Sequence, residues 1–243
     1  MKSKARRYVL SEEEIAVTIG KVDEVVEIEL VNYFIKGNIA LTKVDEDYPD
    51  NKLSGAVFEV YSDTNGDGKL DKDDTLLGEM KELDGGVYQM SELRYGKYLV
   101  KESKAPTGFV LDEDVYAVSI EENGKTYTVE NKAGVGFINA AQKGSLKIVK
   151  TSSDGKVEDF SFRVTGVDYD KTFKTDKNGE IVIEGLRIGD YTVSEVNDKA
   201  SAGYILPADK QVTVKVDATA IVQMHNEFRD TPKTGDDFNL AYG

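Results

Sequence analysis

The stretch Phe137–Lys150, FINAAQKGSLKIVK, reads as the end of one β-unit followed directly by the start of the next. Side chains alternate across a strand, so residues two apart share a face. Phe137 and Asn139 therefore share one face, and Leu146, Ile148 and Lys150 share another. An amide and an amine thus sit on stripes that are otherwise apolar. The same joint occurs earlier at 32–43, NYFIKGNIALTK, where Asn32 follows Ile28 and Leu30, and Lys43 follows Ile39 and Leu41. In both copies Gly stands five residues after Asn and Lys six residues after Gly. A joint that repeats in register is the mark of tandem modules.

Outward from the joint, residues 37–143 make one full module and 144–227 a second, shorter one. Their middles align without gaps: GVYQMSELRYGKYLVKE at 86–102 matches GEIVIEGLRIGDYTVSE at 179–195. Leu93/Leu186, Arg94/Arg187, Gly96/Gly189, Tyr98/Tyr191 and Glu102/Glu195 fall in step. Short alternating runs broken by Asp-Gly, Asn-Gly and Gly-Lys turns argue for an all-β sandwich of immunoglobulin-like type, with no helix-period segment. Residues 1–36 read as the tail of an upstream module. Tyr8-Val9-Leu10 followed by Ile15, Val17 and Ile19 parallels Phe109-Val110-Leu111 followed by Tyr116, Val118 and Ile120, and parallels Tyr204-Ile205-Leu206 followed by Val212 and Val214. Residues 228–243 lose the alternation and read as a flexible tail.

Composition narrows the function. The chain has 243 residues with a net charge of −14, which repels phosphate backbones and argues against nucleic-acid binding. Zero cysteines removes disulfides, thiol nucleophiles and thiolate metal sites, yet leaves an extracellular life open. One histidine, His225, leaves histidine-based triads and zinc sites without material. Among 45 acids no motif singles out a hydrolytic pair, so no multiple-turnover enzyme is expected.

Alternation also turns Glu102 to the face of Tyr98 and Val100, and Glu195 to the face of Tyr191 and Val193. Each module thus directs one Lys, one Glu and one Asn inward: Lys43, Glu102 and Asn139, then Lys150, Glu195 and Asn226. Neighbouring first and last strands would let the three meet. Desolvation favours the neutral amine and the neutral acid. A neutral amine is a nucleophile, and a protonated acid polarises an amide carbonyl and shuttles protons. The product is an amide from Lys to Asn with loss of ammonia. The plainer alternative is a buried Lys–Glu ion pair with a hydrogen-bonded Asn, or side chains that snorkel at strand ends.

TKVD at 42–45, the pattern Tyr98-x-x-x-Glu102-x-x-Ala105-Pro106-x-Gly108-Phe109, and a closing strand that ends in Asn together resemble the Cna B-type (SpaA-like) domains. These are repeat modules of Gram-positive cell-wall adhesins and pilins. The resemblance covers nearly the whole chain. It implies tandem Cna B-type β-sandwich modules, with a truncated one at 1–36. It also implies an intramolecular Lys–Asn isopeptide bond assisted by the Glu at each triad. The second module departs from the pattern at Ala200-Ser201-Ala202-Gly203-Tyr204, where the Ala-Pro is missing, without touching its triad. Asn131, on an apolar parity after Val129, rivals Asn139; the joint spacing favours Asn139.

Residues 63–74, DTNGDGKLDKDD, fit the twelve-residue calcium loop D-x-[DN]-x-[DN]-G with acids at positions nine and twelve. Asp63, Asn65, Asp67 and Asp74 would supply side-chain oxygens, Lys69 its carbonyl, and Asp71 a direct or water-mediated contact. Asp74 stands where a longer Glu is usual. With strand-like flanks in place of helices, the loop reads as a calcium-bound structural clip in a hairpin. At the C-terminal end Thr231-Pro232-Lys233-Thr234-Gly235 resembles the LPxTG sorting motif with Thr for Leu. It implies sortase as a partner, and peptidoglycan or a pilin subunit as the acceptor. The expected context is an extracellular, cell-wall-anchored stalk, an adhesin or a minor pilin. The alternative is a ligand-binding adhesin module for host matrix or glycans. The gene is expected to extend both ways: upstream to the rest of the first module, downstream to an apolar span that alone would touch the membrane.

Overall fold

The computed structural model describes residues 7–229 apart from 10 and 24. It divides into two units with the boundary between Ala141 and Gln142. All regular structure among the described residues is β, and each unit packs two sheets against each other. The first unit runs β1 (Lys36–Asp45), β2 (Val57–Ser62), β3 (Thr75–Glu79), β4 (Lys81–Glu82), β5 (Val87–Arg94), β6 (Gly96–Lys104), β7 (Val115–Ile120), β8 (Thr126–Thr128) and β9 (Phe137–Asn139). The second runs β10 (Lys143–Ser152), β11 (Ser161–Gly166), β12 (Tyr169–Lys174), β13 (Glu180–Arg187), β14 (Gly189–Glu195), β15 (Tyr204–Ile205), β16 (Lys210–Val214) and β17 (Thr219–Phe228).

In the first unit one sheet has the order β4-β5-β1-β8, with β9 also on β1, and the other β3-β2-β6-β7. In the second unit the orders are β13-β10-β17-β15 and β12-β11-β14-β16. The first strand of each unit therefore lies parallel to its last, beside β8 and β9 in one case and β17 in the other. The second unit closes with one continuous strand. The first interrupts the same strand at 129–136 and resumes it as β9.

Alternation explains which residues fill each core. In β1, Ile39, Leu41 and Lys43 point inward, as Leu146, Ile148 and Lys150 do in β10. They meet Phe58, Val60 and Val100 from the facing sheet of the first unit, and Phe162, Val164 and Val193 in the second. Burying each such apolar side chain contributes about 1.5–3 kcal/mol. The shared segment Leu-Arg-x-Gly-x-Tyr builds the same hairpin in both units. Its tyrosine hydroxyl donates back to the arginine carbonyl, Tyr98 to Arg94 at 2.6 Å and Tyr191 to Arg187 at 2.9 Å.

The tail of an upstream module, expected to be loosely held because its strands would leave unpaired edges, forms no regular strand among the described residues of 7–35. Tyr8 bridges Phe34, and their rings stack with centroids 4.7 Å apart. The segments around Ile15–Ile19 and Ile28–Asn32 form no strand, and Ile19, Val22 and Val25 are exposed. An alternating pattern becomes a strand only when a neighbour satisfies its backbone and a second sheet covers its apolar face.

The glycine of the repeated joint has a steric cause. Gly37 and Gly144 each sit at a bulge where the register of the first strand shifts against its antiparallel partner. A Cβ at Gly37 would lie 2.8 Å from the Lys125 carbonyl, and one at Gly144 would collide with the Lys215 carbonyl. We expect Gly144→Ala to destabilise the second unit by about 1–3 kcal/mol, measured as a lowered urea midpoint at unchanged slope. An unchanged midpoint would refute this role for the glycine.

Candidate crosslinking site

The three inward polar residues of each unit converge in one place. Lys43 pairs across β1 and β9 with Phe137, and Asn139 pairs with Asp45. Lys150 pairs with Met224, and Asn226 with Ser152. In both units the Asn therefore sits two residues beyond the partner of the Lys, on the same face of a parallel pair. At 3.3 Å per residue along the strand and about 4.8 Å across, a lysine stem spans that diagonal. The backbone around the pair also repeats. Each lysine N–H donates 2.7 Å to a turn glycine carbonyl, Gly86 or Gly179. Each asparagine carbonyl accepts from the residue three after the Lys, Glu46 or Ser153.

The glutamate comes from the facing sheet, Glu102 opposite Phe58 and Glu195 opposite Phe162. Lys43, Glu102 and Asn226 are fully enclosed, and Asn139 and Lys150 nearly so. Asn139 Nδ2 donates to both oxygens of Glu102, at 2.9 and 3.0 Å, while Lys43 Nζ lies 3.6 Å from Glu102 Oε1. Lys43 also donates to the Phe137 carbonyl at 3.2 Å and lies 4.7 Å from that ring centre. In the second unit Asn226 Nδ2 donates to Glu195 Oε1 at 2.6 Å. Lys150 Nζ donates to the Thr151 carbonyl at 2.5 Å and lies 4.3 Å from the Phe160 ring centre.

These surroundings favour neutral groups. Burial pushes the Lys43 amine down to about 8, against the pull of Glu102. Burial lowers Lys150 too, against Glu195 and Asp154. Burial raises the Glu195 carboxyl, opposed by the Asn226 hydrogen bond. Among the described residues, three buried side-chain oxygens have no hydrogen-bond partner: Asn139 Oδ1, Asn226 Oδ1 and Glu195 Oε2. Each lacks a donor, and an unsatisfied buried acceptor costs about 1–3 kcal/mol.

Asn131 does not enter the triad. Its amide donates to the Ile138 carbonyl at 2.9 Å and accepts from the Ile138 N–H at 2.6 Å, so it clamps β9 where the closing strand resumes. It also donates to Asp112 Oδ2 at 2.7 Å, an oxygen that accepts from the Tyr116 hydroxyl at 2.7 Å. Burial would raise Asp112, but Asn131 and Tyr116 hold it below the usual carboxylate range. The Asp112 N–H donates to Glu102 Oε2 at 2.8 Å. Strand alternation carried no signal for this last contact, because its donor is a main-chain N–H. An open groove of about 540 Å³, lined by Val110, Leu111, Asp112, Asn131 and Ile138, reaches Asn139.

The acidic loop joins β2 to β3 as a hairpin. Asp63 accepts from Gly66 N–H and Gly68 N–H, Asn65 from Asp67, Asp67 from Lys69, and Asp71 from Asp73. Asp74 accepts from Thr64 and Asp71. Among the described residues no three acids gather closely enough to hold a metal ion. The donors suit calcium in kind, since each carboxylate oxygen keeps a second lone pair. Thr231, Pro232, Lys233, Thr234 and Gly235 lie outside the described residues.

The SpaA prealbumin-like fold domain matches twice, at residues 37–133 and 144–228. The chain belongs to that family. Among solved structures, the TIE protein of Bacillus anthracis shares 25% identity over 92% of this chain, with a TM-score of 0.68. This chain spans 39% of the TIE chain. GBS52, the minor pilin of Streptococcus agalactiae, shares 18% identity over 81% of this chain and 98% of its own, with a TM-score of 0.36. The pilus adhesin SpaC of Lactobacillus rhamnosus GG shares 14% over 82% and 32%, with a TM-score of 0.49. No curated protein sequence matches.

The Lys43 amine yields a pH test in this SpaA-type chain. Its folded value near 8 lies below the unfolded 10.5. The unfolded state therefore binds more protons in that window, and stability rises with pH. We expect an Asn139→Ala chain, in which the amine stays free, to gain stability from about pH 8 to 10.5 relative to Asn139→Ala/Lys43→Met. Parallel denaturation curves for the two chains across that range would contradict it.

Proposed function

We propose that the chain is a structural stalk segment of a Gram-positive surface protein, whose two modules each tie first strand to last by a Lys–Asn isopeptide bond. One observation carries this reading. Both units place Lys and Asn on one face of a parallel strand pair in identical register, with a Glu, buried in the first unit and half-buried in the second, facing them from the opposite sheet. In the reaction, the neutral Lys Nζ attacks the Asn Cγ, and an N–C bond forms as the Cγ–Nδ2 bond breaks. The Glu takes the proton that the amine gives up and delivers it to the departing nitrogen, which leaves as ammonia. The lowered amines and the raised Glu195 suit that exchange. The groove beside Asn139 offers ammonia a way out. The chemistry is single-turnover, and the product is a covalent tie.

Membership of the SpaA family agrees with a surface or pilus role. Anchoring would use sortase at Thr231–Gly235, with peptidoglycan or a pilin subunit as acceptor. The test is mass. Purified chain should be lighter than its sequence by two ammonia molecules, and Glu102→Ala or Glu195→Ala should each restore one. A full sequence mass for the folded wild type would sink the crosslink reading.

We also propose calcium as a structural ion of the β2–β3 hairpin. Calcium would have to draw Asp63, Asn65, Asp67, Asp71 and Asp74, with the Lys69 carbonyl, together around it, and its charge would offset repulsion among the acids. Free calcium at a hundred times its Kd would stabilise the first unit by about 2.7 kcal/mol. Asp63→Ala should remove the rise in melting temperature, and identical melting with calcium and with chelator would rule the ion out.

A further inference from the structure

The two triads differ in one backbone donor. Phe109 pairs with Ala141, and Tyr204 with Phe228, each partner standing two residues past the triad Asn. Counting on from these matched positions, Asp112 and Pro207 occupy the same place. The Asp112 N–H holds Glu102 Oε2 at 2.8 Å. Proline has no N–H, and Glu195 Oε2 has no partner. With Oε2 held there, Glu102 meets Asn139 Nδ2 with both oxygens, at 2.9 and 3.0 Å, and Lys43 with Oε1 at 3.6 Å. Glu195 meets Asn226, while Lys150 Nζ donates to the Thr151 carbonyl. The Asp112 carboxylate acts from the other side through Asn131, which grips Ile138 beside Asn139.

We propose that Asp112 is a positioning residue for the Lys43–Asn139 crosslink, steadying Glu102 and β9 together, and that Pro207 leaves the Lys150–Asn226 crosslink without that support. This rests on the crosslink reading above. The two bonds then form at different rates and with different acid limits. The step needs one proton shared between amine and acid; when both are protonated, the amine has no lone pair and the carboxyl cannot accept its proton. An N–H on a carboxylate favours its ionised form. Glu102 faces Lys43 from β1, Asn139 from β9 and the Asp112 backbone; the Asp112 charge also acts on Lys43. Glu195 faces Lys150 from β10, Asn226 from β17 and the charge of Asp198, while Asp154 acts on Lys150. Without an N–H donor, Glu195 holds its proton to higher pH, so the second crosslink stalls at a pH where the first still forms.

The test refolds full-length chain, recovered unfolded and uncrosslinked, over a pH series. Samples are quenched at intervals, and the two crosslinked peptide pairs are quantified separately by mass spectrometry. Pro207→Ala restores an N–H; it should speed the Lys150–Asn226 bond about tenfold and move its acid limit to lower pH, leaving Lys43–Asn139 unchanged. Asp112→Pro should slow the Lys43–Asn139 bond and raise its acid limit. Asp112→Ala, which keeps the N–H, should slow it without raising that limit. Should Asp112→Pro fail to fold, Pro207→Ala decides alone. Both bonds forming in wild type with one shared pH profile, or a Pro207→Ala profile identical to wild type, would overturn the proposal and leave the crosslink reading standing. Wild type that forms neither bond would overturn both.

Discussion

A lysine amine, a glutamate and an asparagine gathered between two β-sheets set the terms for each unit of this chain. Removing an ion from water costs several kcal/mol even after relaxation, and an ion pair regains it only with good geometry and full hydrogen bonding. Here the hydrogen bonding is incomplete, since both asparagine oxygens lack donors. As a permanent ion pair the arrangement is poorly satisfied. As a set of reactants it is coherent, because the proposed amide removes the amine and its charge from the interior.

Topology gives that proposed bond its mechanical meaning. The chain enters each sandwich through the first strand and leaves through the last, and these strands are parallel neighbours. Parallel strands pulled from opposite ends load their hydrogen bonds in shear. A covalent tie between them would carry tension past the rest of the fold, in a chain with no cysteine for the same purpose.

Around this constant centre the two units vary where variation is cheap. The acidic insertion sits in the β2–β3 turn, and the 129–136 excursion interrupts the closing strand on the way to β9. The second change has a structural cost, because β9 is short and would be loosely held. Asn131, Asp112 and Tyr116 offset it with hydrogen bonds that the unbroken β17 does not need.

By itself the sequence determined what local periodicity determines. Period-two alternation placed Lys43, Lys150, Glu102, Glu195, Asn139 and Asn226 on inward faces, and the repeated Asn–Gly–Lys spacing marked two modules around one joint. Both depend only on neighbours along the chain. Tertiary structure decided what depends on partners distant in sequence. It formed no strands at Ile15–Ile19 or Ile28–Asn32, where pairing and cover were missing despite a good pattern. It made Asn139 the neighbour of Glu102 and turned Asn131 into a clamp, although both share apolar parity. It also gave a main-chain N–H at Asp112 a role at the triad that Pro207 cannot take. Alternation describes where side chains point; it carries no information about which backbone donor a fold brings to a buried carboxylate.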